Sequence, residues 1–537
     1  MGRIAMNVRG ASIGLEAILV GLLASVGGFI FGYDTGQISG FLAMDDFLLR
    51  FGNCTNRADA STCHIPTAKE GLIVGLLSIG CGIGALIGAD LADRLGRTRA
   101  MSVECLVFTI GVVIQITSFY AWYQVMIGRF VAGLAVGALS AAIPVYQSET
   151  APKQIRGSLV ATYQLMITIG ILVSNAFGVG TSTLGNSGEW RIVMALGLVF
   201  STFLGVGILF VPESPRWLLH RSREEEAYRA VCRLRGVSTE ADDPLAQSDF
   251  QEMVASVREE KTIEPATWLD AFRWENKTLY RTLLGATLQC LQQLTGANYF
   301  FYYGTQIFNG VGISNPFVVQ LILGAVNVVT TFLGIWQLER FGRRWPLIIG
   351  ALWQSAWLFV FAASGTAKDP TENKGIANLM IVAACLFITG FASTWGPGIW
   401  IVIGETFSFR TRTKQGAIAT ASNWLWNFML AFFTPFITGD IGYAYGFVFA
   451  GCNFASALVV YFFLYESSGL SLEAVDHMYN DPNVKPWSSS KWAPPGYKNR
   501  YQFAEALESG KEAPMEKESK SSSSGVGTSH GEKTEEA

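Results

Sequence analysis

Charged residues are scarce in this sequence. Asp, Glu, Lys and Arg make up 15% of its 537 residues, against roughly a quarter in an average soluble domain. A soluble chain of this length would divide into several cores, each needing a charged coat, and the charge for that coat is lacking. The net charge is −3, so no basic field marks a nucleic-acid partner. Histidine is rare as well. His64, His220, His477 and His530 all fall in polar stretches, which leaves no histidine inside an apolar run to relay protons. No Cys-x-x-Cys or Cys/His spacing suggests a metal site. Cys81, Cys105, Cys290, Cys385 and Cys452 lie in apolar stretches and read as small buried hydrophobes. No nucleophile–base pair or phosphate loop points to an enzyme, and no cofactor is implied.

What the chain does have is apolar length. Half of its residues are hydrophobic and its mean hydropathy is +0.32. Roughly 20 apolar residues carry a helix across a hydrocarbon core. Such stretches occur at about 15–36, 71–92, 100–120, 123–146, 157–180 and 191–211. After a polar gap they resume at about 281–304, 317–338, 345–364, 378–403, 414–438 and 443–465. The sequence therefore predicts an all-α membrane protein with twelve transmembrane helices, here called spans 1 to 12. Its expected parts are an N-terminal segment, 1–14; a first six-helix bundle, 15–211; a linker with short helices, 212–280; a second bundle, 281–465; and a largely disordered tail, 466–537. Small residues four apart, as at Gly80, Gly84 and Gly88, let helix backbones approach closely.

Basic residues decide orientation. Arg94, Arg97 and Arg99 follow span 2, Lys153 and Arg156 follow span 4, and the 212–280 linker is rich in Arg and Lys. Arg340, Arg343 and Arg344 follow span 8, and Arg410, Arg412 and Lys414 follow span 10. With twelve spans all of these share one side, which puts both termini in the cytoplasm. The loop 42–70 is then outside. It holds the sequon Asn53-Cys54-Thr55, a candidate glycosylation site. Cys54 and Cys63 sit in the same oxidising loop, where they could pair or stay as free thiols. The tail, with Ser521 to Ser524 among Lys and Glu, reads as disordered.

The chain also repeats itself. Asp93-Arg94-Leu95-Gly96-Arg97 after span 2 parallels Glu339-Arg340-Phe341-Gly342-Arg343 after span 8. Glu149 precedes Arg156 by seven residues, and Glu405 precedes Arg412 by seven. Equivalent positions lie about 250 residues apart, so the architecture is six spans plus six. Two parallel six-helix repeats with a solute path between them make a transporter. Asp93, Arg94, Arg97, Glu149, Arg156, Glu339, Arg340, Arg343, Glu405 and Arg412 form a candidate gating network. An acid on one helix end can pair with an Arg of its neighbour in one state and part from it in another.

These residues carry a resemblance to a family. Gly32-Tyr33-Asp34-Thr35-Gly36, the two Gly-Arg loops, Gly128-Arg129-Phe130, Pro212-Glu213-Ser214-Pro215-Arg216-Trp217-Leu218, Gln292-Gln293-Leu294-Thr295-Gly296-Ala297-Asn298 and Glu466 to Glu473 stand in order along the chain. The chain resembles the sugar porter branch of the major facilitator superfamily, and among its members the fungal hexose (glucose) transporters. The family's Pro-Glu-Thr near the end is here Tyr465-Glu466-Ser467. The resemblance implies a monosaccharide substrate, a plasma-membrane location and action as a monomer.

A sugar site needs donors and acceptors together, which amides supply, and aromatic faces for the apolar side of the ring. By resemblance Gln164, Gln292, Gln293, Asn298, Asn327 and Trp400 match sugar-contacting positions, with Asn423 beside them. Helical spacing puts Gln292, Gln293 and Asn298 on one face of span 7. Asp34 lies deep in span 1, where an ionisable residue is functional by default, and Arg129 is its expected partner. Proton-coupled plant and bacterial sugar porters carry an Asp and an Arg at the matching positions, so the resemblance permits proton symport. Some fungal facilitators also keep the Asp. Two other readings stay open from sequence alone: a sugar sensor built on the same fold, and a facilitator of pentoses or polyols.

Overall fold

The computed structural model describes residues 5–8, 11–56, 59–152, 155–237, 244–262, 267–311, 315–408, 410–470, 472–497, 499–500 and 502. Lys153, His530 and the Ser521 to Ser524 run lie outside the described residues. Among the described residues, ten stretches are long and apolar enough to cross a membrane. One of them, Arg412–Phe463, has 52 residues and contains two helices, Arg412–Ile441 and Tyr445–Phe463. One more span is broken into Thr278–Gln293 and Ala297–Gly310, neither piece long enough to count alone. Together these make twelve.

In order, spans 1 to 6 are Leu15–Phe41, Thr67–Leu95, Arg97–Ile116, Trp122–Thr150, Arg156–Thr181 and Gly188–Gly207. Span 7 is the broken one. Spans 8 and 9 are Pro316–Phe341 and Arg344–Ala367. Span 10 runs as Lys374–Gly390, a π-helical turn Phe391–Trp395, and Gly396–Thr406. Spans 11 and 12 are the two helices of the long stretch. Small residues set the helix packing. A methyl added at Gly80, Gly84 or Gly88 of span 2 would lie 2.0–2.4 Å from Phe130, Leu134 or Ala138 of span 4. Backbone therefore touches backbone along this seam, where van der Waals contact replaces a hydrophobic driving force.

The polar segments fold too. In the 42–66 loop, helix Asp45–Phe51 sets Phe47 and Phe51 edge-on against Trp190, both at 5.7 Å, and Trp190 Nε1 donates to Asp46 at 2.9 Å. Cys54 and Cys63 form a disulfide across the short pairing of Asn53–Cys54 with Cys63–His64. Asn53 is exposed. In the linker, helices Pro215–His220, Glu224–Arg235 and Pro244–Thr262 share a small core of Trp217, Leu218, Ala227, Val254 and Val257. The expected disordered tail begins too early at 466. Helix Leu472–Asn480 and the turn Pro486–Lys491 follow span 12, and Val475, Met478 and Tyr479 are buried with Tyr465 and Val484. Arg281 of span 7 pairs with Asp476. Arg500 donates to the carbonyls of Glu466, Ser468 and Trp492. Burial of apolar residues at helical spacing orders a segment that its average polarity suggested was loose.

The two bundles meet mainly at the end that carries the 42–66 loop. There Gly71 and Gly75 of span 2 lie against Phe432 and Phe428 of span 11, and Gly324 of span 8 lies against Leu172 and Asn175 of span 5. At the opposite end, which carries the linker, a methyl added at Gly157 of span 5 or Gly416 of span 11 would meet nothing within 4 Å. Close contacts between the halves therefore stand at the loop end, whereas these two positions at the linker end face open space.

Candidate functional site

The break in span 7 makes the site. Gly296 has φ +91°, a conformation that glycine adopts without cost, and Phe449 fills the space a side chain would need. The break frees backbone carbonyls in mid-span, tolerable only where other groups satisfy them. Asn453 donates to Thr295 O at 2.9 Å, and Thr295 Oγ1 donates to Gln292 O at 2.7 Å. The single helical face expected for Gln292, Gln293 and Asn298 is therefore interrupted. The side chains still converge, because Asn298 Nδ2 donates to Gln293 Oε1 at 2.7 Å across the break.

Around this pair stands a cluster of buried amides. Gln293 Nε2 donates to Asn423 Oδ1 at 3.1 Å. Asn423 Nδ2 donates to Gln289 at 2.5 Å and Gln292 at 2.9 Å. Gln292 Nε2 donates to the carbonyls of Trp395 and Gly396 at 3.0 and 3.1 Å, where the π-turn of span 10 meets its second helix. Asn427 Nδ2 donates to Gln293 Oε1 at 3.2 Å. Counting donors and acceptors separates the roles. Gln292 spends both its N–H groups on backbone. Asn423 spends both of its own on glutamines. Among the described residues, one N–H each of Gln293, Asn298 and Asn427 and both of Gln289 have no partner, nor has the carbonyl of Asn298. Of these, Gln293 and Asn298 flank the break.

Gln164 on span 5 is partly buried, and Asn327 on span 8 is buried. Neither is among the cluster's hydrogen-bond partners. Trp400 is 42% exposed and also stays outside the cluster. Trp395 meets the cluster through its backbone carbonyl alone. Its indole is fully buried among apolar residues, with Nε1 donating to Leu347 O at 2.9 Å.

Asp34 and Arg129 are both fully buried, with Arg129 Nη2 3.7 Å from Asp34 Oδ2. Gln37 Nε2 donates to Asp34 Oδ1 at 2.8 Å. The guanidinium also lies over the Phe41 ring at 5.7 Å. At 3.7 Å the ion pair is loose, and the nearer partner of the carboxylate is an amide.

The repeated charges form two matching sets at the linker end. Arg97 meets Glu149 at 3.2 Å and Asp93 at 2.5 Å. Arg343 meets Glu405 at 2.8 Å. Each of these pairs lies within one half. Arg94 pairs with Asp90 on the exposed surface at 3.0 Å. Arg340 lies over Trp336 at 5.9 Å, and Arg412 donates to Gly404 O. The side chains of Arg156 and Glu339 lie outside the described residues. Each set is completed by a glutamate that follows the last helix of its half. Glu213 accepts from the backbone N–H of Arg97 and of Thr98, at 2.9 and 3.2 Å. Glu466 accepts from those of Arg343 and Arg344, both at 3.0 Å. A carboxylate at a helix N-terminus meets unpaired N–H groups and the positive end of the dipole. At Gly96 and Gly342 that carboxylate occupies the place a Cβ would take.

Residues 20–479 match the family described as Sugar (and other) transporter. The chain belongs to this sugar transporter family. It is 43% identical over 495 residues to Hexose transporter 2 of Kluyveromyces lactis, covering 91% of this chain and 86% of that protein. It is 41% identical over 481 residues to the high-affinity fructose transporter ght6 of Schizosaccharomyces pombe, covering 88% and 89%. Its fold is similar to the inward open conformation of the xylose transporter XylE from E. coli, with TM-score 0.70 and 25% identity over 86% of this chain and 99% of that one. The proton:xylose symporter XylE bound to 6-bromo-6-deoxy-D-glucose gives TM-score 0.71 at 25% identity over the same shares. The family is one of transporters, not enzymes, and the chain is a multi-pass membrane protein of the major facilitator fold.

Within this sugar transporter, two members of the amide cluster that the sequence analysis did not single out are Gln289 and Asn427. Both carried a readable signal. Gln289 is one helical turn from Gln292 and Gln293, and Asn427 is one turn from Asn423. The capping work of Glu213 and Glu466 was missed as well, although both stand inside motifs singled out in the sequence.

Proposed function

We propose that this sugar transporter takes up hexoses, glucose foremost, across the plasma membrane by alternating access. The observation that carries this reading is the uncharged amide cluster at the break of span 7, with ligand-directed valences left on Gln293 and Asn298. Amides bind hydroxyls without a large fixed charge, so the sugar can also leave. The names of the relatives, hexose and fructose transporters, support the same substrate class. In this reading Gln164, Asn327 and Trp400 line the path to the cluster. Gln292 and Asn423 hold its frame.

The basic loops favour a cytoplasmic linker end and cytoplasmic termini. The state described above is then open to the cytoplasm, and Asn53 carries a glycan outside the cell. The chain works as a monomer, since each copy contains both halves of its path. Asp34 and Arg129 couple sugar movement to a proton, a reading supported by the similar fold of a proton:xylose symporter. The test is uptake of labelled glucose in cells lacking their own hexose carriers, with competing sugars and with a protonophore. Saturable uptake competed by fructose or galactose supports the reading; absence of uptake overturns it. Sugar-induced alkalinisation of the medium supports symport. Uptake that is uniform across external pH, without alkalinisation, removes it.

A further inference from the structure

The sugar cluster is joined by hydrogen bonds to the seam that closes the outer side. Asn427 of span 11 is the link. Its carbonyl accepts from two hydroxyls, Ser78 of span 2 at 2.6 Å and Tyr302 of span 7 at 3.0 Å. Ser78 belongs to the first half, so this bond crosses between the bundles. The amide of Asn427 donates in the other direction, to Gln293 Oε1. Ser78 is 1% exposed and Asn427 4%. If the crossing bond breaks in this dry setting, little water is at hand to replace it, and an unmade buried hydrogen bond costs more than a made one gains.

The geometry also says which bond gives way. Gln293 Oε1 already accepts twice, from Asn298 at 2.7 Å and from Asn427 at 3.2 Å. A carbonyl offers two lone pairs. A sugar that accepts from the unpartnered N–H of Gln293 draws this amide toward itself, and of the two bonds to its oxygen the longer, from Asn427, is the weaker. Asn427 is then released. Its side chain can turn, and the Ser78 bond that it accepts is disturbed. Opening the outer side requires spans 2 and 11 to separate, because Gly71 and Gly75 lie against Phe432 and Phe428 on the same seam. Other bonds also cross between the halves at this end. Ser39 donates to Thr305 at 2.7 Å, and Asn175 donates to Gln320 O at 3.1 Å. Neither of these two shares a residue with the amide cluster.

We propose that Asn427 is a positioning residue that couples sugar occupancy of Gln293 to the outer seal, through its cross-half bond with Ser78. The proposal rests on the reading of the amide cluster as the sugar site. A conformational change follows a ligand only through contacts that differ between states, and the Ser78–Asn427 bond is such a contact.

The test uses the full chain with Thr305→Cys, a position fully buried on the seam, labelled in intact cells by a membrane-impermeant maleimide. The rate in the chain without this cysteine is subtracted. Ser78→Ala is expected to raise sugar-free labelling about fivefold, what one neutral hydrogen bond is worth. Ser78→Thr, which keeps the hydroxyl, is expected to restore the parent rate. In Asn427→Ala the acceleration of labelling by glucose is expected to disappear. Unchanged sugar-free labelling in Ser78→Ala, within a factor of two, overturns the proposal. So does glucose acceleration in Asn427→Ala equal to the parent's. If Asn427→Ala does not reach the membrane, the Ser78 pair of variants decides. Failure of the sugar-site reading is separately visible as a Gln293→Ala protein that still binds glucose with parental affinity.

Discussion

Gln292 and Gln293 are neighbours in sequence, yet the structure assigns them different work, and replacing each by Ala tests that division. Gln293→Ala removes one N–H that the protein leaves unused, the acceptor that holds Asn298 and Asn427, and a bond to Asn423. It too is expected to lower stability, and KM is what separates the two variants. One direct bond to sugar and the loss of a fixed Asn298 are together worth about 2 kcal/mol. That corresponds to a rise of about 30-fold in glucose KM. Gln292→Ala removes bonds to Trp395 O, Gly396 O and Asn423. None of these is directed at a ligand. At about 1 kcal/mol each, the loss is about 3 kcal/mol of fold stability, concentrated where spans 7 and 10 join. The expected result for Gln292→Ala is a lower melting temperature in detergent and less carrier at the cell surface, with KM changed by less than about fivefold. The assay is initial-rate uptake of labelled glucose in hexose-transport-null cells, normalised to surface protein. The reasoning fails if Gln293→Ala keeps KM within twofold of the parent, or if Gln292→Ala raises KM tenfold at normal stability.

Three further outcomes follow from the same geometry. Glu213→Gln and Glu466→Gln each replace a carboxylate that accepts backbone N–H bonds at a helix start. Each is expected to cost about 2 kcal/mol and to lower thermal stability by a similar amount, as the two sites are pseudo-equivalent; a large effect at one and none at the other would contradict the symmetry. Asp34→Asn is expected to abolish sugar accumulation against a gradient while sugar exchange persists, measured with preloaded cells; accumulation at the parental level would remove Asp34 from coupling. Asn53→Gln is expected to abolish a glycosidase-sensitive mobility shift on a gel, and a shift that survives would place the glycan elsewhere.

Much of the architecture was legible in the sequence because lipid imposes it. Twelve apolar stretches, two Gly-Arg loops and a spacing of about 250 residues fix a fold of two six-helix halves. What the sequence hid depends on local backbone geometry. Hydrophobic length does not register φ at Gly296, so span 7 read as one helix and its amides as one face. Hydrophobic length does not register the π-turn at Phe391–Trp395 either, whose carbonyl at Trp395 accepts from Gln292. Average polarity hid the folding of Leu472–Asn480 and Pro486–Lys491, although Val475, Met478 and Tyr479 stand at helical spacing. The amides of span 7 stand out in the sequence because Gln and Asn in mid-span are conspicuous. Which of them frame the site and which face a ligand depends on counting filled valences, and that requires coordinates.

The amides at the break of span 7 are proposed to bind the hexose that crosses the membrane. Labelled glucose uptake by this chain in hexose-transport-null cells tests this most directly, with Gln293→Ala run in parallel. The account predicts saturable uptake by the parent chain and a KM raised about 30-fold by the substitution. No uptake by a parent chain that reaches the cell surface, or uptake indifferent to Gln293, would contradict it.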